Sequence, residues 1–202
     1  MPKQCTLTNR PSGPVFFAPL QRCFRCRGLT LLELLTTLAI ISVMAAVAVP
    51  SLSNLVRSIR TASISSTFLS QLRLARSEAI KRNDRVVVCK SATTTSCATS
   101  GGWNQGWIVF HDANNNAQLD TGETVIHHEG PISASMRFSG NQNVAQYVSY
   151  TPTGVAKLVN GAFQAGTFHL CQSSVQNGEV TRIVLGSSGN PRLHKVQNTP
   201  CS

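Results

Sequence analysis

From Leu29 to Val49 the chain runs for 21 residues with a single ionisable side chain, Glu33. At about 1.5 Å of rise per residue, a helix of that length crosses a ~30 Å hydrocarbon layer, so this run constrains the chain more than any other feature. A secretory signal peptide also places bases ahead of an apolar stretch, but its apolar core spans only about 7–15 residues and ends at a small-residue cleavage site. AVAVPS, at the end of the run, matches such a site only in part. Arg22, Arg25 and Arg27 stand immediately before the run, so the positive-inside rule sets the N-terminus in the cytoplasm and everything after Pro50 across the membrane. A carboxylate inside a membrane segment costs about 2.5–3.5 kcal/mol on insertion scales, which makes Glu33 a functional candidate by default.

With 202 residues the chain has room for one main domain plus an anchor. Its net charge of +10 is unevenly spread. Lys3, Arg10, Arg22, Arg25 and Arg27 precede Gly28 with no acid among them, leaving the remainder only modestly basic. Of seven cysteines, Cys5, Cys23 and Cys26 come before the apolar run. Cys23 and Cys26 form a C-x-x-C with no second ligand pair, which reads as an incidental feature of the leader. Cys89, Cys97, Cys171 and Cys201 follow the run, on the side that the topology makes oxidising. Their order suggests Cys89 with Cys97 and Cys171 with Cys201, although four cysteines allow three connectivities.

Gly28 followed by LTLLELL, with bases upstream and an acid five residues after the glycine, resembles the type III signal of type IV pilins and of type II secretion pseudopilins. The resemblance implies that residues 1–28 are a leader removed by a prepilin peptidase, which cuts between Gly28 and Leu29 and methylates the new N-terminus. Leu29 stands where that family usually has phenylalanine. Glu33 is then the fifth mature residue, the position that serves filament assembly. Its physical role follows: an N-terminal ammonium and a carboxylate one helical turn along are both unfavourable in lipid, and pairing the acid with a neighbouring subunit's amine relieves both.

Beyond Pro50 the apolar residues recur at three and four, through Leu52, Leu55, Val56, Ile59, Ala62, Leu69, Leu72, Ala75, Ala79 and Ile80. One long helix from Leu29 to about Arg82 is expected, with Pro50 as a kink within it. Residues 29–49 form its membrane half and residues 50–83 its amphipathic half. Residues 84–202 read as a β-rich domain: RVVVC, GWIVF, TVIHHE, SMRF, QYVSY, TFHLC and TRIVL are short, β-branched or aromatic, and separated by Gly, Asn, Ser and Thr clusters. SATTTSCATSGG reads as a loop. The expected fold class is α+β, a long helix packed on an antiparallel sheet. VVVCKS, GWIVFHDANNN and the late cysteines together resemble the FimT/GspH group of minor pilins and pseudopilins. That implies a bacterial inner-membrane protein, single-pass, with a periplasmic C-terminal domain and other pilin or pseudopilin subunits as partners.

Three constellations bear on chemistry. In DANNNAQLDTGE, residues Asp112, Asn114, Asn116, Gln118, Asp120 and Glu123 match the spacing of a calcium loop. Ala117 stands where that loop wants glycine and the flanks read as strands, so an Asn-rich hairpin tip accounts for the same residues without a metal. His111, His127, His128, His169 and His194 are scattered, no hydrolase, zinc-protease or nucleotide motif is present, and neither an enzyme nor a cofactor is expected. The basic segment TRIVLGSSGNPRLHKVQNTPC carries Arg182, Arg192, His194 and Lys195. In FimT-type minor pilins a G-R-x-R element near the end is associated with DNA binding; here the matching positions are Gly189, Asn190, Pro191 and Arg192, so only the second arginine remains. The resemblance therefore implies at most weak, non-specific, salt-sensitive contact with double-stranded DNA, set against a plain solvated basic hairpin. The expected function is a non-enzymatic FimT-like minor pilin of a type IV pilus, with a GspH-type pseudopilin of type II secretion as the alternative.

Overall fold

The computed structural model describes residues 30–173 and 178–201, and the chain divides into two compact units, one ending at Ala48 and one starting at Val49. A single helix, α1 (Leu31–Arg82), contributes to both. Thr30 caps it: its Oγ1 accepts the Glu33 N–H at 3.2 Å and its carbonyl accepts the Leu34 N–H at 3.1 Å. At the far end Asn83 turns left-handed, with φ of 52°. The Asn83 N–H then donates to Ile80 O at 3.3 Å and the Asp84 N–H to Ala79 O at 3.2 Å, the paired bonds of a Schellman stop.

In the second unit α1 buries Ser65, Phe68, Leu72, Ala75 and Ala79, a stripe at spacings of three and four. Leu52, Leu55, Val56, Ile59, Ala62 and Ile80, expected on the packed face, are exposed instead. The helix fully buries side chains only from Ser65 onward, with Ile64 partly packed against the core, and the apolar residues from Leu52 to Ile59 stay exposed.

The strands are β1 (Val86–Lys90), β2 (Trp107–His111), β3 (Val125–Glu129), β4 (Met136–Gly140), β5 (Tyr147–Tyr150), β6 (Gly166–Gln172), β7 (Gly178–Leu185) and β8 (Pro191–Thr199). They form two four-stranded sheets where one was expected, in the orders β3-β2-β1-β5 and β4-β6-β7-β8, antiparallel throughout. β8 was not among the expected strands. PRLHKVQNT has no clean alternation and opens on proline, which a strand tolerates at its first residue on a sheet edge.

The main core lies where α1 meets both sheets. The Phe68 ring stands edge-on to Trp103, Trp107, Phe138 and Phe168, with centroids 5.2, 5.0, 4.8 and 4.9 Å away. Trp103 is anchored by its indole N–H, which donates to Val144 O at 3.0 Å. A second cluster, Val87, Cys89, Ile108, Phe110 and Ala117, fills the other face of β1 and β2, which is why β1 is buried along its whole length.

The turn from α1 into β1 is held by polar contacts. Asp84 Oδ2 lies 2.8 Å from His111 Nε2, and Asp84 Oδ1 accepts the Arg85 N–H at 2.8 Å. Arg85 in turn donates to Asn115 Oδ1 at 2.9 Å and Ser149 Oγ at 2.6 Å. The hydrogen bond from His111, helped by the Arg85 N–H and opposed by partial desolvation, holds the Asp84 carboxyl below its usual value.

Two measurements follow. Phe68→Ala should lower unfolding stability by about 3–5 kcal/mol in urea, because four rings lose their common neighbour; a loss under about 1 kcal/mol would contradict the packing. Folded Asp84 titrates below the unfolded value of about 3.9, so its contribution is complete above that pH and disappears as pH falls through the depressed pKa. The Tm advantage of wild type over Asp84→Asn should accordingly hold at about pH 5–7 and shrink below about pH 4. An advantage that persists at about pH 2 would exclude this origin.

Candidate functional site

Glu33 occupies the first turn of α1, where its charge complements the free amide donors of the helix start. Around it Leu31, Leu32, Leu34 and Leu35 are 54–78% exposed, and Leu38, Ile40, Ile41, Val43 and Met44 continue the uncovered apolar surface on every side of the helix. A helix that is apolar all round belongs in lipid or inside an assembly. Its hydroxyls agree with that: Thr36 Oγ1 donates to Glu33 O at 3.0 Å, Thr37 Oγ1 to Leu34 O at 2.9 Å and Ser42 Oγ to Ala39 O at 2.8 Å, so none of the three depends on water. Gly28 and Leu29 lie outside the described residues. Among the described residues no helix is long and apolar enough to cross a membrane.

Four cysteines are joined in pairs. Cys89 and Cys97, with Cα atoms 5.7 Å apart, tie the Thr/Ser-rich loop to β1. Cys171 and Cys201, with Cα atoms 5.8 Å apart, tie the segment after β8 to β6.

The pairing of β7 with β8 divides the basic residues between two faces. Arg182 lies opposite His194, and Val184 opposite Arg192, whereas Lys195 lies opposite Thr181. Side chains alternate along a strand, and Ile183 and Leu185 point into the core, so Arg182, Arg192 and His194 share the outer face while Lys195 is on the other. Lys195 is also paired there, its Nζ 2.9 Å from Glu179 Oε1, and this bond leads the effects that lower the Glu179 pKa. Sequence reasoning missed His169, which joins the outer face in a row of Ser139, His169, Arg182 and His194 across all four strands. Burial and then the Arg182 cation hold the His169 pKa below the usual imidazole value. The signal lay in the alternation of TFHLC and TRIVL, but only the register joins the two strands.

The loop from Asp112 to Glu123 closes on itself. Asp112 accepts the N–H groups of Asn116 and Ala117, both at 3.0 Å, and Glu123 accepts those of Ala113 at 2.9 Å and Asp120 at 3.0 Å. Asn114 and Asn116 both donate to Asp120 Oδ2, at 2.8 and 2.7 Å. Ala117 takes the left-handed conformation, with φ of 57°, and its side chain is buried against the far face of the first sheet. Among the described residues no three His, Cys, Asp or Glu side chains come together as metal ligands. His127 and His128 lie opposite Val109 and Ile108, on the two different faces of β3.

Comparison with known proteins bears on this arrangement. A family model described as the prokaryotic N-terminal methylation motif matches residues 23–49, and one described as type II transport protein GspH matches residues 65–189. No curated protein matches. The crystal structure of the type IV minor pilin FimU of Pseudomonas aeruginosa strain PAO1 superposes with a TM-score of 0.54 at 16% identity, over 72% of this chain and 98% of FimU. The minor pseudopilin EpsH from the Type 2 Secretion System of Vibrio cholerae gives a TM-score of 0.43 at 12% identity, over 67% of this chain and 95% of EpsH. The FimU likeness concerns the fold, a helix laid on antiparallel sheets. The methylation motif spans the start of that helix, and the GspH model takes in its packed half and most of both sheets, more than half of the 202 residues. The chain therefore belongs to the GspH family, as a type IV pilin-like minor pilin or pseudopilin.

Proposed function

We propose that the chain is a non-enzymatic minor pilin of FimT type in a type IV pilus. The observation that carries the reading is the first half of α1, apolar and uncovered on every side, with Glu33 as its single charge. A prepilin peptidase cuts after Gly28 and methylates Leu29; residues 29–49 hold the precursor in the inner membrane with the sheet domain in the periplasm. On assembly the same helix moves into the filament, and Glu33 meets the new amine of a neighbouring subunit. The disulfide at the chain's end and the basic outer face of the second sheet favour the pilus. The description of the family model favours the second reading, a GspH-type pseudopilin of type II secretion. Deletion of the gene separates the two: loss of pili or of pilus-dependent movement supports the first, and loss of protein secretion with normal pili supports the second.

Contact with double-stranded DNA belongs to the outer face alone. Arg192 and His194 are exposed there and Arg182 is half-buried beside them, whereas the ion pair with Glu179 removes Lys195 from the set. So small a basic surface predicts weak binding that fades with salt.

Three experiments test these statements. Gly28→Trp should leave an unprocessed precursor in the membrane; normal processing would refute the cleavage site. Glu33→Ala should spare insertion and cleavage but reduce incorporation into filaments by at least about tenfold, as expected from an acid left without its partner. Wild-type incorporation would remove the docking role. In a mobility-shift assay at low salt, Arg192→Ala should weaken DNA binding and Lys195→Ala should not; no shift with wild type ends the DNA reading.

A further inference from the structure

A groove of about 470 Å³ opens between the segment of α1 that follows Val49 and the rim of the second sheet. Leu52 and Val56 from the helix and Met136 from β4 form its apolar wall. Arg57 and Arg60 line the same groove, no carboxylate does, and neither guanidinium has a partner among the described residues. Thr61, Ser135 and Gln172 add neutral hydrogen-bonding groups. An occupant must therefore combine an apolar body with an anionic head.

We infer that this groove holds one anionic phospholipid, its acyl chain along Leu52, Val56 and Met136 and its phosphate on Arg57 and Arg60. The inference rests on the membrane reading proposed above. The membrane half ends at Val49, so Arg57 and Arg60 follow about 12–17 Å further along the helix. The headgroup layer on each side of the hydrocarbon is about 5–8 Å thick, and long arginine side chains reach back to it. A neighbouring subunit's helix is the other candidate, but a helix is about 10–12 Å across and the groove holds only about one turn of it. An acyl chain, by contrast, lies within it along its length.

The test uses the full chain in mild detergent, with retained lipid counted by native mass spectrometry. Phosphatidylglycerol and phosphatidylcholine with the same acyl chains are the two probes. Wild type should keep one phosphatidylglycerol per chain with a roughly tenfold preference over phosphatidylcholine. Arg57→Gln with Arg60→Gln should abolish the preference, and Val56→Trp should reduce retention by obstructing the apolar wall with both arginines intact. An unchanged Tm in each variant separates these effects from misfolding. Equal retention of the two lipids by wild type, a preference that survives the double substitution, or a dimer that fills the groove and depends on Glu33 would each overturn the inference. Flotation of the same protein with vesicles of either composition tells the two failures apart. A chain that floats with both but shows no lipid preference loses only the groove lipid, while one that floats with neither overturns the membrane reading and this inference together.

Discussion

Phe68 packs edge-on against rings from both sheets, and the placement of the rest of the second unit follows from that contact. Trp103 and Trp107 come from the first sheet and the 3-10 turn before it; Phe138 and Phe168 come from the second. Two antiparallel sheets of four short strands have little reason to stay together unless something apolar is shared between them. One helix face, continued by Leu72, Ala75 and Ala79, supplies it. The small residues after Phe68 let the strands approach the helix closely, and the Schellman stop at Asn83 turns the chain directly into β1.

The same helix then has a problem that its own domain does not solve. Up to Ile59 its large apolar side chains stay exposed, although they are as hydrophobic as those in the core. Burial is favourable at roughly 25 cal/mol per Å² of apolar surface, so a surface this extended calls for lipid or other subunits. Under the proposed function Glu33 adds direction to what would otherwise be an unspecific apolar rod: one charge at one end gives a neighbouring subunit one register to find. Within the helix it already serves the first turn, next to the Thr30 cap, so it stabilises the helix start whether or not a neighbour is present.

Much of this was legible because it depends on local chemistry. Leu29 to Val49 is visible as composition, and β1, β2 and β6 as β-branched or aromatic runs between turn residues. What was not legible depends on register and partners. Phe68 looks like any helix aromatic until four rings from distant segments surround it. The exposed Leu52 and Val56 carry the same period as the buried Leu72 and Ala75, and only the position of the sheets separates them. Arg182, Arg192, His194 and Lys195 read as one patch along the chain, yet a two-residue alternation puts Lys195 on the opposite face beside Glu179. At the calcium-like loop, Ala117 stands where the sharp bend of such a loop wants glycine. The bend is present, held in the left-handed conformation by burial of the Ala117 side chain and by the Asp112 carboxylate on its N–H.

Under the proposed function the first half of α1 is covered first by lipid and then by neighbouring subunits. The most direct measurement is the intact mass of this protein recovered from purified filaments. The account predicts a chain beginning at Leu29 and carrying one extra methyl group on its N-terminus, present in the filament fraction. A chain that still carries its leader and is absent from every filament preparation would contradict it.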